Sequence, residues 1–115
     1  GAETTLPDDA TAIATTDILA GISKCTPGSG RAKDLPAAIE IVGAITNPSV
    51  GMAFDWTVIN LASGGGLSVT LGDPGGAGLT TVGDLVIQDG ASATFRFRFT
   101  NVGGGSEAVT IYRMV

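Results

Sequence analysis

The chain contains no histidine, and that absence removes most of the chemistry a small domain can perform. Imidazole is the usual general base near neutral pH, the partner that activates Ser and Cys nucleophiles, and the commonest metal ligand. With Cys25 as its only cysteine, the chain has no ligand set for structural zinc and cannot form an intrachain disulfide. A lone Cys beside an apolar stretch reads as a small buried hydrophobe before it reads as a reactive thiol. The carboxylates remain. Asp8 and Asp9 are adjacent, and Asp73, Asp84 and Asp89 are spread along the second half. Carboxylate pairs serve glycoside hydrolysis or hold Ca²⁺. Each of these, however, sits in or beside a Gly or Pro turn, where Asp is favoured for its local backbone hydrogen bonds. The calcium-loop spacing is absent. Turns are the simpler account, with a surface cation held between subunits left open. The glycine clusters at 64–66, 75–76 and 103–105 lack the Lys-Ser or Lys-Thr that completes a phosphate loop, so they read as hairpin turns. No catalytic residue, metal or cofactor is expected.

Arg96 and Arg98 are the most informative charges. In ATFRFRFTN they alternate with Phe95, Phe97 and Phe99, which puts both guanidinium groups on one face of a strand and three rings on the other. Two accounts stand: a solvated outer face that discourages sheet-to-sheet aggregation, or an interface for acidic partners, since Arg is enriched at protein contacts. Tyr112 falls on the polar side of the final strand, AVTIYRMV, and joins them as a candidate interface residue.

The elements that position these residues are mostly strands. Residues 1–16, GAETTLPDDATAIATT, carry no sustained apolar period and read as an extended N-terminal arm. Leu6 and Ile13 give it two apolar anchors; it is either a disordered tail or a segment that orders on a neighbouring subunit. Gly1 and Thr5 match the myristoylation spacing with nothing else in support. Asp17 to Cys25 alternates well enough for a short strand, and TPGSGR reads as a loop. Asp34 then precedes LPAAIEIVGAI, whose Leu35, Ala38, Ile39, Val42 and Ile45 form a helical stripe with an acidic N-cap and an early Pro36. Asn47-Pro48 stops a helix of about ten residues.

From Gly51 onward the period is two. Met52, Phe54, Trp56 and Val58 share a face, as do Leu67, Val69 and Leu71, and Val109 with Ile111. All six aromatic residues lie in these strands. Five or six short strands with Gly-rich turns and one short helix define a mainly β chain: an antiparallel β-sandwich or a small open β-barrel. Residues 17–115 form a single β-rich domain behind the arm.

Composition bounds the partners. At 115 residues one modest core is possible. Only 15% of residues are charged, against about 25% in an average domain, so the surface is either Thr, Ser, Gly and Ala or is covered by other subunits. A net charge of −5 with six Lys and Arg makes nucleic acid and anionic membranes poor partners. No apolar run approaches the ~20 residues of a membrane span, and the sequence as given opens without a secretory leader pattern.

Two stretches carry a resemblance. In the first, a Leu-Pro-led helix is followed by Val50, Gly51, Phe54, Ile59 and Asn60, with Ile59 one place away from the pattern's isoleucine. In the second, Phe95, Arg96, Arg98, Thr100, Asn101, Val102, Gly105, Ser106, Glu107, Ala108, Val109, Thr110, Ile111 and Tyr112 run in order. Together they resemble structural proteins of tailed bacteriophages, notably capsid decoration (cement) proteins and head or fibre components. The resemblance covers residues 17–115 and is most specific at the C-terminal end. It implies a β-rich homotrimer on the outer surface of the virion capsid, assembled in the host bacterial cytoplasm, with the major capsid protein as partner and no catalysis. Residues 1–16 lie outside the resemblance, and on physical grounds alone Leu6, Pro7 and Ile13 of the arm are expected to bind the capsid; Arg96, Arg98 and Tyr112 would face the capsid or a sister subunit. The alternative is a fibre or tip module recognising host carbohydrate, for which Trp56 and Tyr112 are the available platforms.

Overall fold

The structure, a computed structural model, describes residues 3–115. It is mainly β, with two short helices and two sheets packed face to face. The elements in chain order are β1 (Glu3–Thr5), α1 (Thr15–Ala20), β2 (Ile22–Cys25), β3 (Arg31–Asp34), α2 (Ala38–Gly43), β4 (Ala53–Asn60), β5 (Val69–Gly72), β6 (Leu79–Val82), β7 (Val86–Ile87), β8 (Ser92–Asn101) and β9 (Ala108–Arg113). The larger sheet runs β1-β2-β4-β8-β9-β6 and the smaller β3-β5-β7.

The centre of the larger sheet follows from the alternation. β4 and β8 pair antiparallel over seven partners, Ala53↔Arg98 through Ile59↔Ser92. That register puts Trp56, Val58, Phe95, Phe97 and Phe99 in the core, each under 1% exposed. Phe54 stacks on Phe97 with centroids 5.2 Å apart, while Trp56 meets Phe95 and Phe97 at 6.2 Å. Each such pair adds about 0.5–1.5 kcal/mol beyond area burial. β9 closes on β8 through the Gly-rich turn at 102–107 and contributes Val109 and Ile111.

The sandwich stands, but its pairing is mixed and not purely antiparallel: β1–β2, β2–β4, β3–β5 and β6–β9 are parallel. The reason lies in the turns. From β4 to β8 each successive strand lies in the opposite sheet, so the glycine clusters at 64–66 and 75–76 carry the chain between layers, while the one at 103–105 closes the hairpin of β8 and β9. Each of the four parallel pairs is joined by a connection of a dozen or more residues, which is what parallel pairing requires. Gly83 shows the constraint at such a crossing: its φ is +101°, and a Cβ there would lie 2.7 Å from that of Arg113. Two side chains hold the layers together. Asn60, buried at the end of β4, donates to the carbonyls of Leu67 and Ile87 at 2.8 and 3.1 Å and accepts the Ala62 N–H at 3.0 Å. Arg113, at the end of β9, donates to the carbonyls of Asp84 and Val86 and lies 5.7 Å from the Phe95 ring centroid.

Three local expectations are corrected. The strand over Asp17–Cys25 splits: Thr15–Ala20 is a turn and a half of helix, with the Asp17 carboxylate accepting the Ala14 N–H at 3.2 Å. Gly21 ends it at φ +96°, and only Ile22–Cys25 is extended. The second helix spans six residues, not about ten, and its N-cap is Ala37 rather than Asp34. Asp34 ends β3 instead, because the Leu35 N–H still bonds the Gly72 carbonyl at 2.8 Å and prolongs that ladder.

The third correction concerns the arm. Residues 3–5 pair with β2, and the Leu6 N–H continues the ladder to the Lys24 carbonyl. Leu6 and Ile13 are each 3% exposed and belong to the same core as Trp56 and Phe97. Each anchor enters that core at a different edge: Leu6 beside β2, Ile13 beside β3, where its N–H bonds the Asp34 carbonyl. A segment that crosses from one sheet edge to another has no apolar period, which is why it reads as an arm. The core therefore extends back to residue 6, and no boundary at 16/17 separates it.

Truncating an anchor measures this directly. Ile13→Ala should lower the unfolding free energy by about 2–4 kcal/mol, as expected for a large-to-small change in a packed core. Urea titration with an unchanged m-value reads the loss; a midpoint equal to wild type would mean that the segment is not part of the core.

Candidate functional site

One face of the six-stranded sheet packs against the smaller sheet. Both helices send their buried side chains, Ile18 from α1 and Ala38, Ile41 and Val42 from α2, into that same core. The opposite face has no covering element among the described residues. Its side chains follow from the registers, because residues alternate between faces along every strand. Asp55, Arg96, Tyr112 and Val82 form one cross-strand row, and Ala53, Arg98, Thr110 and Thr80 the next. Ile22, Thr57 and Thr94 form a third, in which the two threonine hydroxyls lie 3.0 Å apart. The arginine-bearing strand thus presents Arg96 and Arg98 outward and its three phenylalanines inward. The sequence expectation holds for that strand, and Tyr112 sits, half-buried, on the same open face.

The face carries little charge, and most of it is matched. Arg96 binds Asp55 in a two-pronged contact at 2.8 and 3.1 Å. Glu3 meets Lys24 at 2.7 Å. Arg98 has neither an ion pair nor a side-chain hydrogen bond among the described residues; its cross-strand neighbours are Ala53 and Thr110. Three cations and two carboxylates give the face a net charge of +1, and because the chain carries −5, everything outside it carries −6. Hydroxyls and half-exposed aliphatics fill the rest: Ile22 is 44% exposed and Val82 47%.

The arm residues are placed otherwise. Of the three expected to bind the capsid, Leu6 and Ile13 lie in the core and Pro7 is exposed. Trp56 is fully buried and donates its indole N–H to Ser23 Oγ at 3.0 Å. Cys25 is buried too, and desolvation pushes its thiol pKa up, disfavouring the nucleophilic thiolate. The open depression of ≈ 400 Å³ between Ala37, Ile39, Gly76, Gly78 and Glu107 receives no buried polar side chain that could orient a ligand. Among the described residues no three Cys, Asp or Glu side chains gather as a metal site.

Sequence reasoning did not find what surrounds the segment before α1. Asp8 accepts from Arg31 Nε at 2.7 Å and from the Gly28 N–H at 3.0 Å. Lys33, 1% exposed on β3, reaches the Thr11 carbonyl at 3.1 Å and Asp9 at 3.6 Å. The only available signal was the count of charges: a chain with six cations places two carboxylates side by side near its start. Comparison with protein-family models, characterised proteins and solved structures finds no match to this chain.

The ion pairs give the fold an acid dependence of defined sign. The Arg96 guanidinium holds the Asp55 carboxyl below its ordinary 3.8. Asp8 is lowered by Arg31, and Asp9 by the hydrogen bonds from Thr11. A carboxylate whose folded pKa lies below its unfolded value contributes stability that is present in full above the unfolded value. That contribution is lost as pH falls through the folded one. Asp55→Asn should therefore lower the urea midpoint slightly at neutral pH, since exposed pairs contribute little. Its gap to wild type should close below about pH 4, and a gap that stays constant through acid would show that the pair contributes nothing.

Proposed function

We propose that this chain is a capsid decoration protein of a tailed bacteriophage, which docks as a homotrimer on the outer surface of the head and braces the major capsid protein lattice. The observation that carries the reading is the uncovered face of the six-stranded sheet, nearly neutral and studded with hydroxyls and methyls, on a molecule otherwise strongly acidic. Adhesion to a protein lattice needs contact area with few ions to desolvate, because an unpaired charge buried at an interface costs several kcal/mol. Arg98 is the exception on that face, and a carboxylate on the partner would complete it. Tyr112 and Arg96, in the adjoining row, bring the residue types that dominate protein contacts.

Size supports a multivalent mode. Six strands at the usual spacing span about 25 Å, and with strands of three to ten residues the face covers roughly 500 Å². That falls short of the ~800 Å² per partner of a standard stable interface. Three copies held together would convert three modest contacts into one tight attachment. The carbohydrate-binding alternative loses its better platform, since Trp56 is enclosed and its N–H already bonded.

The test uses heads assembled without the protein. Wild-type chain should co-sediment with them, and Arg98→Glu, exposed and outside the core, should fold normally yet bind at least about tenfold more weakly, a 1.4 kcal/mol loss. Absence of the protein from purified virions would overturn the reading, and equal binding by Arg98→Glu would remove the sheet face from it.

A further inference from the structure

We infer that residues 3–13 are an exchangeable segment, whose second seat is the same groove in another copy of this chain. The inference rests on the reading of the chain as a protein that acts in several adjacent copies. It is carried by how this segment is held. Of the four ion pairs among the described residues, three join it to the body: Glu3–Lys24, Asp8–Arg31 and Asp9–Lys33. Lys24, Arg31 and Lys33 are every cation the chain possesses before residue 90. A chain so sparing with charge has committed half of its cations to one short stretch.

Almost none of the stretch's bonding is internal. The Thr11 N–H bonds Asp9 at 2.8 Å; the remaining contacts reach β2, β3 and the Gly28 loop. The whole set, with the Leu6 and Ile13 sockets, is therefore available unchanged to the same residues of a neighbour, and exchanging an identical element is a low-cost route between copies. The segment ends at Ala14, the extended residue that caps α1, whose own side chain is exposed, so a change of backbone direction there turns about a residue that buries no side chain of its own. Exposed ion pairs are the part of this attachment that salt weakens, whereas the apolar sockets favour reseating. In dilute solution the tether keeps the segment on its own chain; exchange prevails when neighbours are held side by side and their local concentration matches that of the tether.

Both lysines of the chain lie against carboxylates of the segment, so a zero-length carbodiimide cross-link reports its seat without mutation. Isotopically heavy and light wild-type chains are mixed at high concentration, taken through about 1 M NaCl to screen the pairs, returned to low salt and cross-linked. Exchange predicts Glu3–Lys24 and Asp9–Lys33 peptide pairs shifted to the mixed heavy–light mass, in bands above the monomer. Oligomer bands whose two native pairs are purely heavy or purely light overturn the exchange and leave the multi-copy reading standing. A monomer band alone, with unmixed pairs, overturns the exchange and the homotrimer together.

Discussion

The pairing of β4 with β8 is the constraint on which the other elements depend. These are the two longest strands, eight and ten residues, and they lie at the middle of the larger sheet. On the inner side their register stacks Phe54, Trp56, Phe95 and Phe97 into one aromatic cluster. On the outer side the same register brings Asp55 opposite Arg96. A slip of one residue would send three phenylalanines to solvent and two guanidinium groups into the core, so burial fixes the register far more firmly than the ion pair does. β2 and β9 are then templated on the two sides of this pair, and β1 and β6 on those. The smaller sheet exists to cover the rings. Its own strands run two to four residues, too short to be stable without the surface they close over.

How much of this could be read from the chain depended on whether one physical demand acted on a residue or two. β4, β8 and β9 face core on one side and an open surface on the other, and their period of two is clean. β3 does not obey it: its inward position is Lys33, buried at 1% exposure and bonded to Thr11 and Asp9. A lysine at a core position cannot be told from a loop residue until its partners twenty residues upstream are known. α1 failed for the opposite reason. Thr15 and Thr16 are weak helix formers, and the turn exists because Asp17 caps it, Gly21 ends it and Ile18 is pulled into the core. The glycine clusters are turns, but the expected hairpin holds only at 103–105, because nothing local says whether a turn joins neighbours in one sheet or carries the chain to the other layer. Mixed pairing was accordingly hidden, while the sandwich was not.

The candidate surface was half legible for the same reason. Arg96, Arg98 and Tyr112 were placed on the correct side by alternation alone. What alternation cannot supply is the identity of cross-strand neighbours, which decides that Arg96 is matched by Asp55 and Arg98 by nothing among the described residues. Leu6 and Ile13 were recognised as anchors, and they do anchor; the socket is in their own core. A core so small gains from two distant side chains, because burying each contributes roughly 1.5–3 kcal/mol to a molecule whose total stability is about 5–15 kcal/mol.

The disposition of the six cations draws these strands together. Lys24, Arg31 and Lys33 hold the first residues to the body. Arg96 is matched across the central strand pair. Arg113 donates to three carbonyls and lies against the Phe95 ring, clasping the sheets at one end. Five of the six are thus consumed by the fold itself, and Arg98 alone has no task inside the molecule among the described residues. A free guanidinium is unremarkable on a surface crowded with charge. On an outer face whose other ions are paired, and in a chain with a net charge of −5, it is that face's one unmatched charge among the described residues. On the proposed docking face such a charge would set orientation more than affinity: the hydroxyls and methyls around it would supply area without direction, and the single cation would fix which way that area meets a partner.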